Sequence, residues 1–386
     1  MFGNHGPLVK RIEELGLEFI EAPRASMRPS PSVTSALVRL ARERDLDVLH
    51  GYEWPPALEC RLAGMRAGIP AVATVMSMAV ADFLPRTMPL IVGTEQIEAY
   101  ERASGRHLVS TMAPPVDLEF NDPALPFDVE GFRREWSIDP NSLTIGVVTR
   151  LAAELKLEGL LTAIEVVGEL ATQRRVQLVI VGDGPARDEV EACARAANNR
   201  AGTEAIVITG ELLDPRRAYA CADIMLGMGG SALRALAFGK PLVVQGEAGF
   251  WQLLTPSSAN DFRWTGWYGV GDGRDSGPAA LRAAIQPLID SPARRIELGD
   301  YSLHLVRKEF SLDGAANFVD GRYNTALQTR TRHSAATRDL ARSASLFANH
   351  YARRKLAKIA GRAARDDFNG SPVARGGPTR DQRVRS

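Results

Sequence analysis

The sequence has no run of eighteen apolar residues, although 45% of its 386 residues are apolar. A helix that crosses a bilayer needs about twenty such residues, so no transmembrane helix is predicted. The first five residues lack both the basic stretch and the apolar stretch of a secretory signal. We therefore expect the protein in the cytoplasm.

Cysteine is scarce. Cys60, Cys193 and Cys221 are far apart in the sequence and do not have the spacing of metal ligands. Each lies in a predicted helix, which favours buried, reduced thiols. We predict no metal site and no disulfide framework.

The net charge of +1 hides an asymmetry between the two ends of the chain. Residues 330–386 hold 14 Lys and Arg against 4 Asp and Glu, a balance of +10. The preceding 329 residues hold 33 against 42, a balance of −9. An acidic body argues against nucleic acid as a partner, whereas the basic tail predicts weak contact with anionic membrane surfaces.

Short apolar runs alternate with amphipathic helices along most of the chain, which predicts an α/β fold. In the first 120 residues, strands are predicted at Leu17–Glu21, Val48–His50, Ala71–Val75, Leu90–Gly93 and Leu108–Thr111. The second series of strands is predicted at Leu143–Val148, Val176–Val181, Ala205–Thr209, Ile224–Leu226 and Pro241–Val244. Spacings of roughly 18 to 33 residues suit right-handed βαβ units, so two Rossmann-like domains with a cleft between them are expected.

The strand that ends at Val181 runs into a turn of Gly182, Asp183 and Gly184, and Pro185 suits the first residue of the next helix. Such a turn places backbone N–H groups and a helix N-terminus at the carboxyl edge of a parallel sheet, where ligands bind. The alternative is a turn with a structural role only.

Two further segments flank this turn. Upstream, Arg150 follows a predicted strand, and Lys156 lies six residues later. Downstream, Gly229, Gly230 and Ser231 precede a helix rich in Ala and Leu. The glycines would let backbone N–H groups approach a phosphate, and Ser231 is predicted to cap the helix.

In their order and spacing these three segments resemble the donor-nucleotide domain of a retaining GT-B glycosyltransferase, of the group 1 or family 4 class. The resemblance implies a nucleotide-diphosphate sugar as donor and no dedicated metal ion or other cofactor. Segment 149–159 resembles the family's Gly-Arg-Leu…Glu-Lys-Gly motif, which implies that Arg150 and Lys156 bind the phosphates. The alternative is two solvated charges near the start of a helix.

Other candidates lie at the ends of predicted strands. Glu247 follows the last of these strands and is a candidate contact to a sugar hydroxyl. His50 and Glu53 follow a strand of the first domain and could face the acceptor, although a histidine at the end of a strand is more often structural.

The sequence departs from the family at two positions. Arg234 stands where the family has the second of two glutamates, and no glutamate occurs between Glu211 and Glu247. Because arginine cannot accept hydrogen bonds from ribose hydroxyls, ribose recognition must differ. Met76 replaces a histidine that usually lies near the sugar.

The family usually opens with a strand and a Gly-rich loop, whereas residues 1–8 resemble the region after the second strand. The first βα unit is therefore expected upstream of Met1, within about 30–60 residues that carry an apolar strand and a Gly-rich turn.

The expected organisation is linear. Residues 1–120 form an incomplete acceptor-side domain, and residues 121–300 form the nucleotide-sugar domain. Closing helices follow at 301–327, and a basic tail, helical and then disordered from Asp366, covers 328–386.

The sequence thus predicts a retaining, metal-independent glycosyltransferase with a carbohydrate, lipid-linked or small-molecule acceptor. A nucleotide-sugar 2-epimerase is one alternative, which the lack of clustered carboxylates and histidines in the expected cleft disfavours. A non-catalytic nucleotide-sugar-binding protein is the other, which Met76 and Arg234 favour. The donor base, the acceptor and the oligomeric state stay open.

Overall fold

The computed structural model describes residues 1–328 and 333–360, which form two compact units. Unit 1 comprises Met1–Gly93, Ile97–Met112 and the stretch that begins at Asn317. Unit 2 comprises Thr94–Gln96 and Ala113–Ala316. Unit 1 is therefore built from both ends of the chain and departs from the linear arrangement expected from sequence.

Unit 1 contains two separate parallel sheets. Its strands are β1 (Phe2–Gly3), β2 (Ile20–Glu21), β3 (Leu49–Tyr52), β4 (Ala71–Val75), β5 (Leu90–Val92) and β6 (Val109–Thr111). Strands β1 and β2 form a 2-stranded sheet, and the others form a 4-stranded sheet in the order β3-β4-β5-β6. The predicted strands are confirmed, whereas β1 was not predicted because two residues carry no periodic signal.

Helices connect these strands and cover them. They are α1 (Val9–Glu14), α2 (Pro31–Glu43), α3 (Trp54–Ala67), α4 (Glu95–Ala103), α13 (Leu312–Gln328) and α14 (His333–Ile359). Helix α13 begins in unit 2, and its carboxyl-terminal part packs on the unit 1 sheet, where Ala326 contacts Val72 and Ile91.

The described part of the expected tail is a packed helix. Helix α14 is anchored by the Asp339 carboxylate, which accepts a 2.7 Å hydrogen bond from the Thr87 N–H, and by the Ser343 hydroxyl, which donates to the Phe83 carbonyl. The Phe347 ring lies 5.3 Å from that of Phe83 and 6.0 Å from that of Trp54. Apolar contact thus turns a basic segment into part of unit 1. The stretch from Asp366, expected to be disordered, lies outside the described residues.

Unit 2 is built on a 6-stranded sheet in the order β12-β11-β10-β7-β8-β9. The strands are β7 (Leu143–Val148), β8 (Val176–Val181), β9 (Ile206–Gly210), β10 (Ile224–Gly227), β11 (Leu242–Gln245) and β12 (Trp251–Leu253). All neighbours are parallel except β11 and β12. β8 is buried along its whole length, which explains its unbroken apolar sequence. The predicted strands of this series are confirmed, and β12 was not predicted.

The helices of unit 2 cover the two faces of this sheet. They are α5 (Val129–Glu135), α6 (Leu157–Ala171), α7 (Arg187–Ala201), α8 (Arg216–Cys221), α9 (Gly230–Ala237), α10 (Ala259–Thr265), α11 (Gly277–Asp290) and α12 (Pro292–Glu309). One apolar core lies among α6, α7, α11 and the sheet, and a second lies among α9, α12 and the sheet. The two layers leave the carboxyl ends of the strands to loops.

Candidate functional site

The strand order of unit 2 changes direction between β7 and β10. From β7, the chain continues to β8 and β9 on one side and returns to β10 and β11 on the other. In open parallel sheets, ligands bind outside the carboxyl ends of the strands at such a switch point. The loops after β7, β8, β10 and β11 and the first residues of α9 carry all of the unit 2 residues predicted from sequence.

The glycines after β8 allow two loops to touch. Gly182 has φ 147° and Gly184 has φ 155°, and a Cβ atom at either position would overlap a carbonyl oxygen of the loop after β7. The two loops are joined by main-chain hydrogen bonds from Leu151 to Asp183 and from Ala186 to Leu151, each 3.0 Å. The glycines thus hold the loop with Arg150 in place, which is the structural role that the sequence left open.

The residues that follow Gly182 differ from expectation in one detail. Helix α7 begins at Arg187 rather than at Pro185, which lies in the preceding turn. The Asp183 carboxylate accepts from the Gly184 N–H and from Arg187, at 2.6 and 2.8 Å. These two hydrogen bonds, the backbone one foremost, hold the pKa of Asp183 below its usual range.

Lys156 is the most perturbed cation at this edge. It immediately precedes α6, and burial lowers the pKa of its ammonium group to about 8. Its carbonyl accepts a 3.2 Å hydrogen bond from Gln245 of β11, and the preceding Leu155 has φ 64°. No carboxylate pairs with Lys156 among residues 1–328 and 333–360. A desolvated ammonium group without a counter-charge is suited to an anionic ligand.

Arg150 lies in the same loop with its side chain exposed. Within the described parts of the chain no acidic side chain forms an ion pair with it. Its guanidinium is therefore exposed at this edge of the sheet, and its role as a phosphate ligand stays a prediction.

The second glycine pair lies at the start of α9. Gly229 immediately precedes the helix with φ 53° and ψ −129°, and a Cβ at Gly229 or Gly230 would meet nothing within 4 Å. The backbone around this glycine pair is therefore open to an approaching group, and the first-turn N–H groups of a helix are the ones that lack intrahelical acceptors. The prediction that Ser231 caps the helix is wrong, because its hydroxyl donates back to the Met228 carbonyl at 3.0 Å.

Glu247 lies in the loop after β11. Its carboxylate accepts a short hydrogen bond from the buried Tyr268 hydroxyl. Glu158, a residue that sequence reasoning did not single out, holds the same loop by accepting a 2.7 Å hydrogen bond from the Gly249 N–H, and it forms a 3.1 Å ion pair with Arg274 of the later turn at Arg274–Ser276. The one feature of the sequence that could have pointed to Glu158 was its place as an acidic side chain in the first turn of a predicted helix.

The two candidates of unit 1, His50 and Glu53, both form hydrogen bonds within the protein. Glu53 precedes α3 with φ 63°, and its carboxylate accepts from the N–H groups of Met76 and Ser77 and from the Ser77 hydroxyl, at 2.8, 3.1 and 2.8 Å. It thus holds the loop after β4. His50 contacts the Tyr323 hydroxyl and the Thr74 hydroxyl through its two ring nitrogens.

Burial lowers the pKa of His50 to about 4, so its imidazole is neutral at pH 7. A contact of His50 or Glu53 with an acceptor stays a prediction.

Of the two positions that depart from the family, Arg234 is exposed on α9 and Met76 is half-buried.

Among residues 1–328 and 333–360, no group of three or more His, Cys, Asp and Glu side chains could hold a metal ion. In the same residues, no helix is both long and apolar enough to cross a membrane.

The sequence profile of the family Glycosyl transferases group 1 matches residues 142–288, from β7 to α11. Residues 142–288 form a group 1 domain, and the chain is a glycosyltransferase. The match includes every unit 2 residue that was predicted to bind the donor.

Curated relatives of this glycosyltransferase agree with the assignment. The chain is 25% identical over 325 residues to the GDP-mannose-dependent monoacylated alpha-(1-6)-phosphatidylinositol monomannoside mannosyltransferase of Corynebacterium glutamicum, covering 77% of this chain and 81% of the relative. It is 28% identical over 274 residues to the GDP-mannose-dependent alpha-mannosyltransferase of Mycolicibacterium smegmatis, covering 61% of this chain and 68% of the relative.

Solved structures show the fold. A glycosyltransferase from Rickettsia africae superimposes with a TM-score of 0.67 at 15% identity, covering 85% of this chain and 90% of that one. HepE from Anabaena in complex with UDP superimposes with a TM-score of 0.65 at 15% identity, covering 84% and 91%. The glycosyltransferase has the GT-B fold with two Rossmann-like domains, as predicted.

Proposed function

We propose that this glycosyltransferase transfers a hexosyl group from a nucleoside-diphosphate sugar to its acceptor with retention and without a metal ion. The observation that carries the proposal is Lys156, a desolvated ammonium group with a lowered pKa and no paired carboxylate in the described chain. It lies at the sheet edge that also presents Arg150 and the first turn of α9.

The leaving diphosphate needs positive charge as the bond to the sugar breaks. Arg150 and Lys156 would stabilise the developing negative charge, and the N-terminus of α9 would add the N–H groups of its first turn. These groups would supply the stabilisation that a divalent cation gives in other transferases. We therefore propose transfer without a metal ion.

The sugar would lie between the diphosphate and the loop after β11. Glu247 is the candidate for accepting a hydrogen bond from a sugar hydroxyl, since Tyr268 orients its carboxylate. Gly182, Asp183 and Gly184 would form the wall beside the diphosphate, and their contacts keep the Arg150 loop in position. We assign these three residues a positioning role.

The names of the relatives suggest the donor to test first. Two of them are GDP-mannose-dependent, and the relative from Streptomyces kanamyceticus is a 2-deoxystreptamine glucosyltransferase. We therefore take GDP-mannose as the leading donor. The acceptors to test are a carbohydrate, a lipid-linked glycan and a small-molecule polyol.

The full chain, incubated with GDP-mannose, UDP-glucose and other nucleotide sugars in the presence of a chelator, tests the proposal. Release of nucleoside diphosphate and an α-linked product from an α-linked donor would support retaining, metal-independent transfer. An epimerised donor would indicate a nucleotide-sugar epimerase instead. Donor binding without turnover on any acceptor would indicate a binding protein, the reading favoured by Arg234.

The lowered pKa of Lys156 predicts how donor affinity depends on pH. Below pH 7 the ammonium group is charged in the free enzyme, and above about pH 8 it loses its proton. Because the diphosphate favours the charged form, the KM for the donor should rise by up to about tenfold per pH unit above pH 8. Lys156→Arg keeps the charge at all these pH values, so its KM should stay flat. Identical pH profiles for the two enzymes would contradict the assignment.

We also propose that the end of α14 contacts anionic lipid. Arg353, Arg354, Lys355 and Lys358 are exposed there together with the apolar side chains of Leu356 and Ile359, which are 67% and 77% exposed. Such a basic, partly apolar surface binds anionic headgroups weakly and in a salt-dependent way. Co-sedimentation with anionic vesicles should fall on raising the salt and on changing the four basic residues to serine. Equal sedimentation of both proteins would exclude this contact.

A further inference from the structure

Helix α9 begins between the two loops that carry the cations of the proposed diphosphate site. Its preceding strand, β10, lies between β7 and β11 in the sheet, and residues near its end pair with Val147 and Val244. Arg150 is in the loop after β7, whereas Lys156 is tied to the end of β11 by the hydrogen bond from Gln245 to its carbonyl. Because neighbouring strands of a sheet are about 5 Å apart, the chain that leaves β10 starts close to both loops.

The exposed face of α9 carries a single charged side chain, that of Arg234. Gly230 and Arg234 are exposed one turn apart, whereas Ala232, Leu233 and Ala235 are buried. Residues four positions apart share one face of a helix, and a helical side chain leans towards the amino-terminal end of its helix. The Arg234 side chain therefore extends towards the first turn of α9, where a Cβ at Gly230 would meet nothing within 4 Å.

A buried tyrosine holds the Arg234 side chain near this turn. The hydroxyl of Tyr219, in α8, donates a 3.4 Å hydrogen bond to the Ser231 carbonyl in the first turn of α9. Burial raises the pKa of Tyr219 to about 12, whereas the charge of the neighbouring Arg234 and a hydrogen bond from its side chain act to lower it. Since one hydroxyl contacts both residues, the guanidinium lies beside the amino-terminal turn of α9.

Arg234 has no counter-charge of its own. Within residues 1–328 and 333–360, no Asp or Glu side chain forms an ion pair with it. Two acidic side chains of the neighbouring loops, Asp183 and Glu158, are paired with other arginines. A guanidinium only donates hydrogen bonds, and phosphate oxygens only accept them and carry the opposite charge. A phosphate group is therefore the ligand that complements Arg234.

We propose that Arg234 is a third cation of the diphosphate site and binds phosphate oxygens of the nucleoside diphosphate. The inference rests on the proposed function, which places a nucleoside diphosphate at this edge of the sheet. When the sugar leaves, the terminal phosphate gains about one further negative charge. Arg234 supplies positive charge beyond that of Arg150 and Lys156 and so stabilises the departing diphosphate.

Inorganic pyrophosphate and GDP, titrated calorimetrically into the full chain, test this role, because pyrophosphate has neither a base nor a ribose. Arg234→Ala should weaken the binding of both ligands by about 10-fold, the value of one hydrogen bond to a charged group. Arg234→Lys keeps the charge without the planar fork and should lose less. Arg195→Ala, on an exposed cation of α7 that pairs with Glu191, is the matched control and should leave both affinities unchanged.

Tyr219→Phe tests the positioning of the guanidinium. The change removes only a hydroxyl and keeps the ring, which is stacked on Phe238 at a centroid distance of 5.4 Å. Because Tyr219 acts through Arg234, Tyr219→Phe should weaken pyrophosphate binding by less than Arg234→Ala. It should add no further loss in the double variant, as expected for two residues that act together. Melting temperatures of the variants show that each one is folded.

Unchanged pyrophosphate binding in Arg234→Ala would overturn the proposal. A loss confined to GDP would also overturn it, because Arg234 would then contact the ribose or the base. Failure of the proposed function gives a different result. A protein that transfers no sugar but binds pyrophosphate through Arg234 would support this inference and refute the transferase, whereas sugar transfer with Arg234-independent pyrophosphate binding would do the opposite.

Discussion

Replacing Arg150 or Lys156 by alanine is expected to lower the rate of sugar transfer by about 10²–10³-fold each, because each change removes one cation aimed at the charge that develops on the leaving diphosphate. The loss should be seen in kcat/KM, with a double variant that loses less than the product of the two effects, since both residues act on the same group. Initial rates with a saturating acceptor measure it.

The same variants should keep their fold. Arg150 is exposed, and Lys156 contributes a desolvated charge rather than apolar contact, so the melting temperature should move little. Arg195→Ala is the matched control, because Arg195 is an exposed cation on α7 that pairs with Glu191 at 3.6 Å. Its activity should equal that of the unchanged protein. Unchanged turnover in both the Arg150 and the Lys156 variant would refute the diphosphate site.

Gly182→Ala is expected to destabilise unit 2 by about 3 kcal/mol or more. The new Cβ would overlap the Thr149 carbonyl oxygen, and φ 147° is strained for any residue with a side chain. The two loops would have to separate, which also displaces Arg150. The free energy of unfolding from urea denaturation measures the loss, and donor binding should weaken in the fraction that stays folded.

Gly202→Ala separates the cost of the steric overlap from the cost of the positive φ. Gly202 follows α7 with φ 68°, but a Cβ there would meet nothing within 4 Å. Only the backbone cost of about 1–2 kcal/mol should appear. If both substitutions cost the same, the contact between the loops after β7 and β8 contributes nothing to stability, and the positioning role assigned to the glycine turn is wrong.

The strands β4, β5 and β7 to β11 were predictable because each is a short apolar run bounded by turn residues. Burial on both faces leaves such a run no polar alternation, and the intervening helices have the length that a parallel crossover needs. The order of the candidate residues along the chain then placed them at the ends of these strands. Sequence also predicted the resemblance to the glycosyltransferase family, which the match over residues 142–288 bears out.

Side-chain partners could not be read from the sequence, because they depend on residues far away along the chain. The Glu53 carboxylate is held by a loop 23 and 24 residues later, and Glu158 bonds Gly249 at a separation of 91 residues. Ser231 turns back to Met228 although its position suits a helix cap. Each outcome was decided by which loops the packed sheet brings together.

The sequence by itself determined the alternation of strands and helices, the glycine turn at the end of β8 and the cations that follow β7, since these depend on local composition and spacing. Tertiary structure alone decided that α14 packs on unit 1 against Phe83 and that Lys156 is desolvated. The reason is physical. Burial and strand pairing depend on contacts between segments that are far apart in the sequence, so the sequence of one segment does not show which other segments will pack against it.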